Sequence, residues 1–336
     1  MKNKSLSDIP FSVLELATVS EGSSPAETFV KNLELAQHVE KYGYTRFWLS
    51  EHHNMIGVAS SATSVLIGYI AGGTSTMRVG SGGIMLPNHS PLAVAEQFGT
   101  LESLYPGRID LGLGRAPGTD QLTALELRGD FFNNATEFPR NVLKLQTYFS
   151  RENSTAKVRA IPGEGLDIPI WILGSSTDSA QLAGLLGLPY AFASHFAPAQ
   201  FLAAIDLYRK TFRPSAKLDK PYVLACVNVI MADTDARANK LATSLFQMFL
   251  GIVTGIRKGL QPPVDSMERI WTEAQKEALD QMLSLSFIGS PKKIKKELEG
   301  FYDQTKIDEI MIISNIYEQK EKLYSYQLFS EIMKSK

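Results

Sequence analysis

The sequence predicts an α/β chain folded as a (β/α)8 TIM-type barrel, with insertions at the C-terminal face of its strands. Eight short apolar or β-branched runs alternate with longer segments of helical period. Several of those segments open on a serine-proline pair, an N-cap followed by proline at the first helical position. Polar and glycine-rich residues gather directly after the strands, where barrels of this kind place their chemistry. A doubly wound open sheet would also alternate, and the strand count separates the two only in part.

The first strand is 11–18 (FSVLELAT), and Ser24-Pro25 opens the helix at 25–42. Strand 45–50 (TRFWLS) precedes a helix at 60–73, and 77–86 (MRVGSGGIML) precedes one at 91–104 that opens on Ser90-Pro91. Strand 108–114 (RIDLGLG) is followed by a long polar stretch, 115–139, and only then by a helix at 140–150. Strands 168–174 (IPIWILG) and 190–195 (YAFASH) lead into helices 178–187 and 198–212. Strand 222–231 (YVLACVNVIM) leads into a helix at 234–250, marked by Thr234-Asp235. Ser290-Pro291 opens a helix at 291–304 ahead of the last strand, 309–314 (EIMIIS), and a final helix at 318–334. The stretches 115–139 and 251–289 break the rhythm. Segments that long in a compact domain are functional or carry small helices, and in a barrel both would serve as lids. The whole chain, 1–336, reads as one barrel domain.

Composition narrows the function classes. Apolar residues make up 44% of the 336, ample for a large core, and 34 basic against 35 acidic residues leave a formal charge of −1. No block of like charge advertises nucleic acid or an anionic membrane. The single cysteine, Cys226, sits in an apolar run, which excludes disulfide frameworks and cysteine-based zinc sites. The N-terminal MKNKSLSDIPFS lacks the apolar core of a signal peptide, and no window reaches transmembrane length. The expectation is a soluble, cytoplasmic protein.

Residues after the strands are the candidate site. Glu51, His52, His53 and Asn54 follow the second strand; Gly82 and Gly83 end the third, which runs on to His89. Arg115 follows the fourth, Ser175, Ser176 and Thr177 the fifth, and His195 ends the sixth. Four of the five histidines thus share one face, and His38, in the first helix, reads as structural. Adjacent residues of an extended segment point to opposite sides, so His52 and His53 would hardly ligate one metal. No metal motif supports them, and no metal is expected. An anion site has better support. Arg115 lies among glycines, and LGSSTDSA sets hydroxyls at a helix start, where free N–H groups and the dipole favour phosphate. Read singly, Ser176 is an N-cap and Arg115 a surface cation; with Arg140 on the same face they read as a phosphate grip. Trp48, Trp171 and Cys226 read as packing.

The stretches WLSEHHN, VGSGGIMLPNHSPLAVAEQ, PGRIDLGLGRAPG, IPIWILGSSTDSAQLAGLLGLP and SFIGSPKKIKKEL resemble the bacterial luciferase-like flavin-dependent monooxygenases over about residues 11–330. The single-chain members are the better match. The resemblance implies FMN at the strand ends, reduced by a separate flavin reductase and reacting with O2 through a hydroperoxyflavin. It implies that His52 is the catalytic, proton-handling residue, and that Gly82 and Gly83 are joined by a cis bond under the isoalloxazine ring. It also implies that Arg115, Arg140, Ser176 and Ser179 hold the FMN phosphate. Gly114 stands where the luciferase has a reactive cysteine, and Ser175 where it has a glutamate, departures that weaken luciferase-like substrate chemistry. Family analogy implies a homodimer through the helices at 60–73 and 91–104. Two alternatives stand beside an FMN monooxygenase acting on a small molecule: a deazaflavin (F420)-dependent hydride-transfer enzyme, and a non-catalytic flavin-binding protein.

Overall fold

The computed structural model describes residues 5–129 and 135–335. Residues 130–134 of the expected 115–139 lid, the first four of the N-terminal stretch and Lys336 lie outside the described residues. The strands, in chain order, are β1 (Phe11–Glu15), β2 (Arg46–Leu49), β3 (Arg78–Ser81), β4 (Ile84–Met85) and β5 (Ile109–Gly114). They continue as β6 (Ile170–Gly174), β7 (Tyr190–Phe192), β8 (Val223–Met231), β9 (Ser286–Gly289) and β10 (Glu309–Ile313). Every ladder is parallel, and β10 pairs with both β1 and β8, so β1, β2, β3, β5, β6, β7, β8 and β10 close into a barrel. The short β4 extends the wall beside β5, and β9 beside β8.

Strand parity sorts the side chains. In β5 (IDLGLG), Ile109, Leu111 and Leu113 pack in the outer core under the helices, which leaves Asp110, Gly112 and Gly114 facing inward. The barrel interior is filled by Leu14, Trp48, Trp171, Leu224, Cys226 and Met311, with the two indoles edge to face at 5.1 Å. Trp48, Trp171 and Cys226 are therefore core, as their positions in apolar strands predict. His38 is also structural, its Nε2 lying 3.0 Å from Leu323 O on the last helix.

The N-terminal ends of the strands are plugged by charge. Arg46 Nη1 donates to Asp110 Oδ2 at 2.7 Å, and its Nε to the Glu309 carboxylate at 3.0 Å. Asp110 also accepts from Arg78 Nε at 2.8 Å and Trp48 Nε1 at 3.1 Å, while Tyr222 Oη donates to Glu309 at 2.8 Å. Buried charges persist only when paired and hydrogen-bonded, and both carboxylates are. This closes one end of the barrel and leaves the opposite end for chemistry.

The helices fall where the periodicity places them, with two additions. Helices Gln121–Arg128 and Glu273–Met282 occupy the two stretches that break the rhythm. The first is capped by Asp120, whose carboxylate accepts from Thr123 N at 3.0 Å. Of the three serine-proline starts, Ser24 caps through its hydroxyl, whereas Ser90 and Ser290 stand at the N-cap position without that bond. Proline at the first helical position is what the three share. No helix among the described residues is long and apolar enough to cross a membrane.

Candidate active site

Glu51 organises the strand-end face. It is almost wholly buried, and its carboxylate accepts from His53 Nε2 at 3.0 Å, His89 Nε2 at 2.9 Å, Asn88 Nδ2 at 3.2 Å and Met85 N at 3.0 Å. Burial alone would raise its pKa. The bonds from His53 and His89 and the backbone N–H of Met85 instead bring it to about 2, so Glu51 is a carboxylate at neutral pH. His53 and His89 are thereby engaged by Glu51. Among the described residues, no group of histidine, cysteine, aspartate or glutamate is arranged to hold a metal ion.

His52 is treated differently. Its Nδ1 lies 3.1 Å from the carbonyl oxygen of Gly118. A carbonyl only accepts, so Nδ1 carries the hydrogen and Nε2 the lone pair. Burial depresses the His52 pKa, and the charges of Arg257 and His53 act the same way, against the opposing pull of Gly118 O and Glu51. His52 is thus a neutral imidazole with one nitrogen fixed and the other a base. Gly118 suits its place for two reasons: its φ is +66°, and a Cβ there would come within 2.6 Å of Glu51 O.

His195, after β7, is half-buried, and desolvation of its ring brings its pKa down to about 4, with the nearby His52 acting in the same direction. Its Nδ1 has no partner, nor does Oδ1 of Asn228, an inward residue of β8 whose Nδ2 donates to His195 O. Buried polar atoms are normally satisfied, so these two atoms are open to water or to a polar ligand at the barrel mouth. Gly82 and Gly83 are joined by a cis peptide. A Cβ at Gly82 would lie 2.8 Å from Leu14 Cδ1 and 3.1 Å from Trp48 Cβ, and one at Gly83 2.8 Å from Gly112 O. The wall made by β3 and β5 is therefore bare backbone packed on the indole layer.

The expected phosphate grip is only partly assembled. Arg115 Nη2 lies 3.4 Å from Asp178 Oδ2, at the start of helix Thr177–Leu186. Ser176 is the N-cap residue of that helix by position, and its hydroxyl makes no capping bond. Ser179 Oγ donates inward to Ser176 O at 2.8 Å and lies 3.0 Å from Tyr190 Oη. Thr177 N is taken by Gln200 Oε1 at 3.1 Å. Arg140 turns to Glu137 at 3.2 Å, and among the described residues no hydrogen bond or ion pair joins it to Arg115, Ser176 or Ser179.

The profile of the luciferase-like monooxygenases matches residues 9–309. The chain belongs to the luciferase-like monooxygenase family. A luciferase-like monooxygenase of Escherichia coli (strain K12) is 49% identical, over 96% of this chain and 97% of that protein. The N-acetyl-S-alkylcysteine monooxygenase of Bacillus subtilis is 33% identical, over 96% of this chain and 98% of that protein. The solved structure of apo-MsnO8 superposes with a TM-score of 0.90 at 35% identity, covering 96% of this chain and 98% of that one. Two more distant structures share the fold. One is the FMN complex of the oxygenating constituent of 3,6-diketocamphane monooxygenase from Pseudomonas putida, with TM-score 0.72, 16% identity, and 96% and 97% of the two chains covered. The other is an F420-dependent secondary alcohol dehydrogenase, with TM-score 0.70, 15% identity, and 98% and 99% covered.

Sequence reading missed Gly118 and Asn228, and it did not foresee that His89 would bind Glu51. The glycine and proline of GLGRAPG signal a turn, but nothing local says whose nitrogen its carbonyl will meet.

Proposed function

We propose that this chain is an FMN-dependent monooxygenase that acts on a small molecule and takes reduced FMN from a separate reductase. The observation that carries the reading is His52: neutral, half-buried, and held by Gly118 O with Nε2 free to act as a base. A protein that only binds flavin has little need of such a group. Arg115 and the start of helix Thr177–Leu186, with the Ser176 hydroxyl, would hold the phosphate. Arg115 would then exchange Asp178, an exposed partner at 3.4 Å, for the ligand. Arg140 and Ser179 join this grip only after a change of rotamer. The bare wall of Gly82 and Gly83 would carry the ring, and His195 Nδ1 and Asn228 Oδ1 its polar edge. Reduced FMN, when bound, supplies the electrons that activate O2. His52 Nε2 would take and return the proton that this chemistry requires. Exposed Val65 and Tyr69 on helix Thr63–Gly72 and Leu104 on helix Pro91–Leu104 support pairing as a homodimer, which light scattering at micromolar concentration tests.

The deciding experiment is an anaerobic titration with reduced FMN followed by oxygen, for wild type and His52→Ala. A flavin absorbance distinct from both reduced and oxidised FMN, shortened in the variant, is the expected result. Reoxidation at the rate of free FMN in both proteins would leave a binder. Preferential binding of F420 would move the chain to hydride transfer.

A further inference from the structure

We propose that the substrate is a small amphipathic anion, its charged head held by Arg257 and its apolar body laid against Ile56, Phe196 and Ile256. The inference rests on the reading that the strand-end face is the reaction site, and it names what that face admits.

Arg257 follows the helix Asp235–Thr254, in a segment pinned to the loops after β1 and β2. Leu260 N donates to Val19 O at 2.8 Å, and Glu21 N to Leu260 O at 2.8 Å. A Cβ on Gly57 would come within 2.5 Å of Lys258 O, so the backbone beside Arg257 lies directly on the loop that carries His52. The guanidinium is near enough to His52 to oppose its protonation. Neither Arg257 nor Lys258 forms an ion pair among the described residues, although most arginines here have one or donate to backbone carbonyls. An arginine beside the base, with no protein anion answering it among the described residues, suits a ligand that brings its own negative charge.

Apolar exposure adds the second half. Ile56 is 78% exposed, Ile256 62% and Phe196 45%. Each stands on one of the three loops that carry His52, Arg257 and His195. Single exposed apolar side chains are ordinary, but three on the loops that also carry His52, Arg257 and His195 offer apolar surface to a ligand held there. A guanidinium pairs with a carboxylate in a planar, two-bond arrangement, so a carboxylate on an apolar chain fits this mouth better than a dication or a neutral sugar-like molecule.

Octanoate and octanamide separate charge from shape. Their equilibrium binding to the full chain is measured anaerobically, with and without reduced FMN, for wild type, Arg257→Gln and Arg257→Lys. Wild type is expected to bind the acid about tenfold more tightly than the amide, the low end for a charge-assisted pair at an accessible site. Arg257→Gln should bring the two affinities together, chiefly by weakening the acid, and Arg257→Lys should keep part of the preference. Equal affinities in wild type, a preference that survives in Arg257→Gln, or no binding of either probe at millimolar concentration would each overturn the proposal. Reduced-FMN binding is read in the same samples. Its loss with an intact acid preference sinks the flavin reading alone, and the reverse sinks this one alone.

Discussion

His52 Nδ1 donates to the carbonyl oxygen of Gly118 at 3.1 Å, and that single bond decides which imidazole nitrogen is the base. The same carbonyl accepts from His53 N at 3.3 Å, so one peptide group fixes the backbone of the doubled histidine and the tautomer of its functional member.

Gly118→Ala therefore tests the base without touching it. The new methyl meets Glu51 O at 2.6 Å in a backbone region unfavourable to alanine, and the turn must shift. A loss of about 2 kcal/mol in stability is expected. With Gly118 O displaced, His52 should show mixed tautomers in its ring 15N chemical shifts. A retained Nδ1–H tautomer would mean that the carbonyl is not what fixes it.

Glu51→Gln probes the hub beneath. The amide offers one acceptor where the carboxylate offers two, and His53, His89 and Met85 N compete for it. Because His89 is about a third exposed, water recovers part of the loss, and about 2 kcal/mol of destabilisation is expected rather than the larger cost of a fully buried pair. Denaturant midpoints check it; a change under about 0.5 kcal/mol would show the hub to be surface-like.

The barrel was legible because period and punctuation agree. FSVLE, RFWL, RVGS, IDLGLG and IWILG read as strands and form them, and proline fixes three helix starts. The site was legible in part. His52 lies where strand order puts it, and the glycine pair could be found from its motif. The partners were not legible, because they come from distant loops: Gly118 reaches His52 across 66 residues, and Asn228 meets His195 across 33. Helix Glu273–Met282 falls in a stretch read as a lid or as carrying small helices, but EAQKEALDQM is mostly polar and buries only Leu279, so its bounds were not legible. Arg140 shows the converse, a residue placed in the grip by its expected position on the strand-end face and by analogy, whose side chain bonds its helical neighbour Glu137.

Asp110→Asn addresses the plug at the far end of the barrel. The side chain has no exposure and holds two guanidiniums, from Arg46 and Arg78, besides the Trp48 indole. Neutralising it leaves Arg78 without its carboxylate and Arg46 with only Glu309. A loss of about 3 kcal/mol or more is expected, seen as a lower urea midpoint at unchanged slope. Flavin binding at the opposite end should survive in the folded fraction. Equal stability would mean that water already reaches this layer.

Acid sensitivity should trace to His195. Burial lowers its pKa from 6.5 to about 4 in the folded protein. Between those values the unfolded chain takes up a proton that the native state refuses, so stability is full above pH 6.5 and declines as the pH falls toward 4. The shift corresponds to about 3 kcal/mol. His52, also depressed by burial, adds to the decline with the same sign. Glu51 acts lower: with a folded pKa of about 2 against an ordinary 4.5, it costs stability only as the pH drops through that range. Urea midpoints at pH 7, 5.5 and 4.5 should thus fall steadily in wild type and less steeply in His195→Gln, with both proteins declining further below 4.5. Parallel curves for the two proteins between pH 6.5 and 4 would show that His195 takes its proton in the native state.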